Sequence, residues 1–482
     1  MHSETPTNIG FPSPFRKRLL PDAEIMRLQA GTLHLLENVG VHVPSERALD
    51  LFAAHGARVD RGRQMVRLAP DLVKKAMASA PRRFVLAGRE ERFDLVLDGR
   101  LAYISTAGTG VHVVDAQTGT QRASRKTDMA RIARVADALP MISFLWSTVT
   151  SQDYGASAPV HDCHAMLTNT LKHVRGGTTV APALATCIVE MATVVAGSAE
   201  NRRRRPPINA NICTISPLGH DKNGLECALI YAEAGIPVSF MAMTTMFSTA
   251  PASPLGALLI GDAEVVSGMV LLQLAFPGTP VFHSVFVSMM EPRTGGYIAK
   301  LPMPLNMMAV EMAHAWNVPS LGGTRMGSDA RDIGWQSGME SALGAAYLPL
   351  CGGDICGSIG LLGGAMIFRP EQLILDHAVC KTAYDLTHGY DFASDELALD
   401  VIERVGPRQH FLTDPHTLKH IRDFQLSPLL HQYLPDGSQK EPREAALQMF
   451  NRLDAQHHPA PLEPAMLKEL DRIAAAADKT PR

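Results

Sequence analysis

Between Thr249 and Tyr297 the chain spells out a loop, a helix, a stop, a strand and a second loop, in that order. Thr249-Ala250-Pro251-Ala252-Ser253-Pro254 opens an amphipathic helix that carries Gly261-Asp262-Ala263-Glu264. Leu271-Leu272-Gln273-Leu274-Ala275-Phe276 runs into Pro277-Gly278, which closes the helix, and Thr279-Pro280-Val281 starts a short apolar strand. Pro292-Arg293-Thr294-Gly295 then makes a charged, Gly-containing loop. A helix feeding a strand, with a functional loop after the strand, is the repeating unit of a (β/α)8 barrel.

The same alternation recurs. Eight barrel strands are predicted near Tyr103–Ala107, Ile142–Val149, Val174–Thr178, Ile208–Thr214, Pro237–Met243, Pro280–Phe286, Val318–Gly322 and Tyr347–Cys351. The stretches between them are long enough for the helical crossovers that parallel strands require. The expected fold class is therefore α/β, a (β/α)8 TIM barrel with N-terminal and C-terminal helical extensions. Residues 1–100 are expected to form the first extension, 101–390 the barrel and 391–482 the second. In the first, Leu28, Leu33, Leu36 and Val39 recur at helical spacing, Gly40 stops that helix and Ser45 caps the next. From Arg92 to Arg122 the apolar period drops to two. After about Phe392 the pattern is of charged helices, with Asp414-Pro415 as a clear helix start.

A 482-residue chain with 46% apolar and 19% charged residues buries a large core. A net charge of −3 does not fit a nucleic-acid footprint. The basic run Arg202 to Arg205 stops at Pro206-Pro207 and reads as a solvated loop. The polar, Pro-rich start lacks a secretory core, no uninterrupted apolar run spans a bilayer, and seven scattered cysteines without a CxxC pair suit reduced thiols. The expectation is a cytoplasmic protein, without nucleic-acid or membrane partners, that forms a homo-oligomer.

Several short segments, in their order and spacing, resemble the trimethylamine methyltransferase family. They include Leu35-Leu36-Glu37-Asn38-Val39-Gly40-Val41, Val66-Arg67-Leu68-Ala69-Pro70, Asn169-Thr170-Leu171-Lys172-His173, Ser216-Pro217-Leu218, the Thr249–Pro280 stretch and Gln336-Ser337-Gly338-Met339-Glu340. The resemblance implies a (β/α)8 barrel. It also implies transfer of a methyl group from a methylated amine to the cob(I)alamin of a separate small corrinoid-binding protein, with no cofactor held tightly by the chain itself. The archaeal trimethylamine enzymes use a pyrrolysine, which this chain lacks. It looks like the non-pyrrolysine branch, similar to glycine betaine methyltransferase. Gly334, Met339 and Ala378 depart from the family pattern and bear on the substrate. Two other readings are open: demethylation onto tetrahydrofolate without a corrinoid partner, and a non-catalytic quaternary-amine-binding protein.

A quaternary ammonium is best held by aromatic faces and a nearby anion. Its methyl leaves by in-line displacement, so no general base is needed; the site must position the N–CH3 group and exclude water. A tertiary amine leaves well only when protonated. In a barrel the site lies at the C-terminal strand ends. The aromatics expected near those ends include Trp146, Phe247, Tyr297 and Trp335, each of which could equally be packing. Arg325, after the seventh strand, and Arg293 are candidates for gripping a substrate carboxylate with a planar fork. Arg325 could instead pair with Asp329 or Asp332. His283 is a further substrate-binding candidate, and Glu340, His161 and His220 are candidate catalytic groups. Glu340 reads more readily as structural. His161 and His164, three apart with Cys163 facing elsewhere, lack a third ligand for zinc, so no metal is assigned and both read as wall residues.

Overall fold

The computed structural model describes residues 9–12, 18–115, 118–300, 303–325, 327–388, 397–421, 429 and 432–479. Eight parallel strands form the centre: β1 (Leu101–Thr106), β2 (Phe144–Trp146), β3 (His173–Thr178), β4 (Ile208–Ile215), β5 (Val238–Met246), β6 (Val281–Met290), β7 (Leu321–Arg325) and β8 (Ile355–Ile359). Seven neighbouring pairs form parallel ladders, including the return from β8 to β1 with Ile355 beside Tyr103. The seam between β6 and β7 is narrower. It is one isolated parallel bridge, His283 to Ser320, with the His283 N–H donating to Pro319 O at 3.0 Å.

Helices α1 (Lys126–Ala138), α2 (Ala158–Asn169), α3 (Pro182–Ala196), α4 (Lys222–Glu233), α5 (Pro254–Ala275), α6 (Met303–Ala315), α7 (Trp335–Cys351) and α8 (Pro370–His388) follow the strands in turn. Ser253 caps α5 by accepting from Gly256 N at 3.2 Å, with Pro254 in the first turn, as the loop sequence requires. This helix is long and apolar enough to cross a membrane, with a mean hydropathy of 1.8, but 78% of that window is buried in the protein. It lies close against the barrel because Gly261 and Gly268 have no side chain. A Cβ there would meet Val285 at 2.6 Å and Phe240 at 2.7 Å.

The eighth strand is a correction. Tyr347–Cys351 is the last turn of α7, not a strand. The stretch is apolar, but its buried residues Glu340, Ser341, Gly344, Ala345, Leu348 and Cys351 fall three or four apart, the period of a helix face. Gly352 (φ 62°) ends that helix, and the strand begins three residues later. Asp354, just before this strand, therefore lies at the closed end of the barrel, accepting from His314 and Ser320.

The first hundred residues hold helices Asp22–His34, Glu46–Ala54 and Pro70–Met77, with Ser45 capping the second. They also hold short strands that the helical reading of this segment omits. One hairpin, Phe84–Leu86 with Leu95–Leu97, inserts Leu86, Leu95 and Leu97 among Tyr103, Phe144, Phe282, Leu321 and Ile355 and plugs the N-terminal end of the barrel. At the other end, His112–Val114, Gln121–Ala123, Leu361–Leu362 and Ile367–Phe368 form a small sheet from the loops after β1 and β8. The C-terminal helices Pro442–Gln456 and Pro464–Ala477 pack along the outside, on α1 and α8 and on α2 and α3 respectively.

Candidate active site in the barrel lumen

Strand periodicity sorts the side chains of each strand. Phe240, Ala242, Val281 and Val285 join the outer core against the helices. Met241, Phe282, Phe286, Tyr103, Phe144 and Trp146 join an inner cluster that faces the lumen and meets the hairpin plug. On β4 the inward set is thus Asn209, Asn211, Cys213 and Ile215, and on β5 it is Ser239, Met241 and Met243. Going toward the C-terminal ends, burial falls away quickly. Asn211 and Ser239 are fully buried, Cys213 is half-buried, Met243 is 45% exposed and Ile215 57% exposed. A side chain that points into a barrel and is still half exposed marks an open lumen. The mouth is a funnel.

The floor of that funnel is Arg175, on β3. It is fully buried at 0% exposure. Its guanidinium lies over the Trp146 ring, 4.1 Å from the centroid. Nη2 donates to Asn211 Oδ1 and, at 2.7 Å, to Ser239 Oγ. Ser239 in turn donates to Asn211 Oδ1 at 2.6 Å. Arg175 Nε and Nη1 have no partner, nor do Trp146 Nε1, Ser284 Oγ and Asn209 Nδ2. Among the described residues no carboxylate pairs with this arginine. Burial pushes its pKa down to about 9, which leaves it charged at neutral pH. Trp146 is held flat by Gly108, where a Cβ would come within 2.7 Å of the indole. The lumen so built offers a cation with unused donors, stacked on an aromatic ring, and an apolar wall of Met241 and Phe286.

The other predicted site residues separate into three groups. Trp146 alone stands in the lumen. Phe247, Tyr297 and Arg293 occupy the rim. Phe247 follows β5, half exposed. Tyr297 pairs with Met290 at the end of β6 and lies against Gly364 of the loop after β8. Arg293 has its side chain 89% exposed and bonds Glu291 at 3.1 Å. Trp335, 81% exposed, starts α7 on the outside. Arg325 closes β7, but its side chain lies outside the described residues.

The third group is corrected by the fold. His283 points outward from β6, and its Nε2 bonds Asp262 of α5 at 2.7 Å, where Trp316 and Thr32 also donate. His220 sits between the sheet and α5, bonded to Ser267 at 2.8 Å, with burial lowering its pKa to about 4. His161 lies on the outer layer, stacked on Tyr154 at 3.5 Å and joined to Asp478 of the C-terminal helix at 2.9 Å; burial above all lowers its pKa. His164 does the same toward Asp471. None of these four reaches the lumen; their strands or helices turn them to the opposite side. Glu340 accepts from Ser328 Oγ, Asp329 N and Gln336 Nε2, and so ties the loop after β7 to α7. A cleft beside it is lined by Lys300, Asp329, Met339 and Tyr347.

The structure thus defines an α/β-barrel protein with a buried cationic and aromatic floor beneath an open mouth. A family model described as trimethylamine methyltransferase matches residues 10–479, and the chain belongs to that family of methyltransferases. It is 31% identical to a trimethylamine methyltransferase of Desulfitobacterium hafniense, over 86% of this chain and 84% of the relative. It is 27% identical to a glycine betaine methyltransferase of the same species, over 96% and 97% of the two chains. A solved monomethylamine methyltransferase of Methanosarcina barkeri overlays with a TM-score of 0.46 at 12% identity across 96% of each chain, too loosely to inform the site.

Proposed function

We propose that this chain moves a methyl group from a quaternary or tertiary methylamine of the betaine type to the cob(I)alamin of a separate small corrinoid protein. The observation that carries this reading is the open lumen with Arg175, stacked on Trp146, at its base and Met241 and Phe286 in its wall. An ammonium methyl group fits an aromatic face such as that of Phe286, and its electron-poor hydrogens favour such a face over bulk water by about 0.5–2 kcal/mol. Two of the curated relatives, one named for trimethylamine and one for glycine betaine, point the same way.

The chain's contribution is positional. The N–CH3 bond breaks with its electron pair remaining on nitrogen, so a quaternary substrate leaves as a neutral amine and no side chain has to take a proton. The lumen walls, Met241 and Phe286, exclude water from the nitrogen while the methyl faces the mouth. The partner's reduced corrinoid supplies the nucleophile that accepts the methyl. The rim fits such a partner. Ile215, Met243, Phe247, Tyr297 and Met366 are large apolar side chains left exposed around the C-terminal ends of the strands. An open apolar rim suits a flat macrocycle presented by another protein. A pterin acceptor calls for a closed pocket of stacking rings, and for this reason the corrinoid reading is preferred to tetrahydrofolate.

The test mixes the chain, a reduced corrinoid protein and glycine betaine or trimethylamine. The corrinoid spectrum should change only with all three present. Equal demethylation with tetrahydrofolate and no corrinoid protein would transfer the assignment to the folate reading. Tight amine binding without transfer to any corrinoid partner or to folate would leave a binding protein.

A further inference from the structure

We propose that Arg175 is the seat for the anionic end of the substrate, so that a carboxylate enters the barrel first and the methylated nitrogen rests nearer the mouth, by Met241 and Phe286. This rests on the reading of the chain as a methylamine methyltransferase, and it replaces the loop arginines Arg293 and Arg325 as the specificity-determining residue.

Three observations lead there. The first is charge. A fully buried guanidinium without a carboxylate among the described residues is an unbalanced cation in a low-dielectric interior, a costly arrangement unless an anion completes it. The second is the unused donors. Arg175 Nε and Nη1, Trp146 Nε1 and Ser284 Oγ are all buried and unpartnered. All four can donate, which is what a carboxylate accepts. The third is depth. Arg175 bonds Asn211 and Ser239, and two residues further along those strands stand Cys213 and Met241, then exposed Ile215 and Met243. Two strand residues advance roughly 7 Å, so the guanidinium lies within about two such steps of open solvent. That depth is of the order of the length of a short amino acid betaine. Arg293, by contrast, is exposed and already bonded to Glu291.

The seat also explains what holds Arg175 ready. Asn211 and Ser239 fix Nη2 and Trp146 covers one face of the guanidinium, so the fork is rigid before any ligand arrives.

Calorimetric titration of the full chain with glycine betaine, choline and trimethylamine tests this. The wild type should bind glycine betaine. Arg175→Gln should lose roughly ten- to a hundredfold in betaine affinity, the size of a charge-assisted pair, with choline and trimethylamine unchanged. Arg175→Lys should recover only part, because it restores the charge without the fork. Thermal unfolding of Arg175→Gln should occur no lower than in the wild type, since an unmatched buried charge has been removed. The proposal is overturned if the wild type does not bind betaine, if the betaine-to-choline ratio is the same in wild type and Arg175→Gln, or if the loss follows Arg325→Gln or Arg293→Gln. These titrations need no partner protein. Methyl transfer with an unchanged ratio keeps the proposed function and removes the anion seat; an Arg175-dependent ratio without transfer does the reverse.

Discussion

The barrel buries charge in two places and treats it in opposite ways. Between sheet and helices, Asp262 is fully buried and accepts from Thr32, His283 and Trp316. On another part of the outer layer, Asp137 accepts from Thr170, Leu171 N and His457. These carboxylates are saturated. In the lumen, Arg175 uses one nitrogen and leaves two free. His220 also leaves Nδ1 unpartnered, but burial lowers its pKa to about 4, and on a neutral ring that donates through Nε2 to Ser267 this is only a bare lone pair. An unmatched guanidinium N–H carries part of a full charge. The difference teaches where to look for function: saturated buried charge is scaffold, and unsaturated buried charge is addressed to a ligand.

The largest expected effect tests the scaffold side. Asp262→Ala strips the acceptor from three buried donors and should cost about 3–5 kcal/mol of stability, read from the denaturant midpoint. Methyl transfer per folded molecule should be unchanged; a loss of transfer in the folded fraction would return the outer cluster to the active site.

Next comes the lumen. Trp146→Leu keeps an apolar side chain but removes the ring on which Arg175 is stacked, and should raise the apparent KM for glycine betaine by roughly three- to thirtyfold, the equivalent of about 0.5–2 kcal/mol for such a cation–π contact. Steady-state transfer to a corrinoid protein measures it, and an unchanged KM would place the substrate elsewhere.

A smaller effect separates the two regions by pH. Burial raises the Asp162 carboxyl from 3.8 to about 7, against the opposing hydrogen bonds from Ser151 and Thr150. A group whose folded pKa is raised holds its proton more tightly when folded. Its contribution to stability is complete below about pH 4 and is lost as pH rises toward 7 and past it. Asp162→Asn should therefore flatten the decline in unfolding temperature across that window, leaving the betaine affinity profile intact. A profile of betaine affinity that shifts with this variant would couple the outer layer to the lumen.

The smallest effect is at the rim. Arg293→Gln breaks only an exposed, solvent-screened pair with Glu291 and should leave both stability and KM where they are. A raised KM for betaine but not choline would restore the loop clamp.

How much of this was legible in the sequence depended on whether a residue's neighbours in the chain are its neighbours in space. Seven barrel strands could be read because their apolar runs are bounded by Gly, Pro and capped helices, all local signals. The eighth could not, since Ile355–Ile359 contains Cys356, Gly357 and Ser358 and is less apolar than the helix end before it. His283 lies outside the lumen because strand parity, which the sequence does not fix to one residue, turns it to the outer core, and His220 lies beyond β4 in a short antiparallel return. Arg175 was passed over beside the conspicuous Gly176-Gly177. Its signal was a lone cation inside a strand that is otherwise buried, but the missing counter-charge is visible only when β3, β4 and β5 lie side by side.

The central claim is that a methylated amine binds in the lumen, above the floor of Arg175 stacked on Trp146. The chain has three tryptophans, Trp146, Trp316 and Trp335, which occupy the lumen, the outer core and the surface. Labelling with 5-fluorotryptophan gives each its own fluorine resonance, assigned by single replacements. On saturation with glycine betaine, the Trp146 resonance should move while those of Trp316 and Trp335 stay in place. A shift confined to Trp316 or Trp335, or no shift at a betaine concentration that supports methyl transfer, would contradict the account.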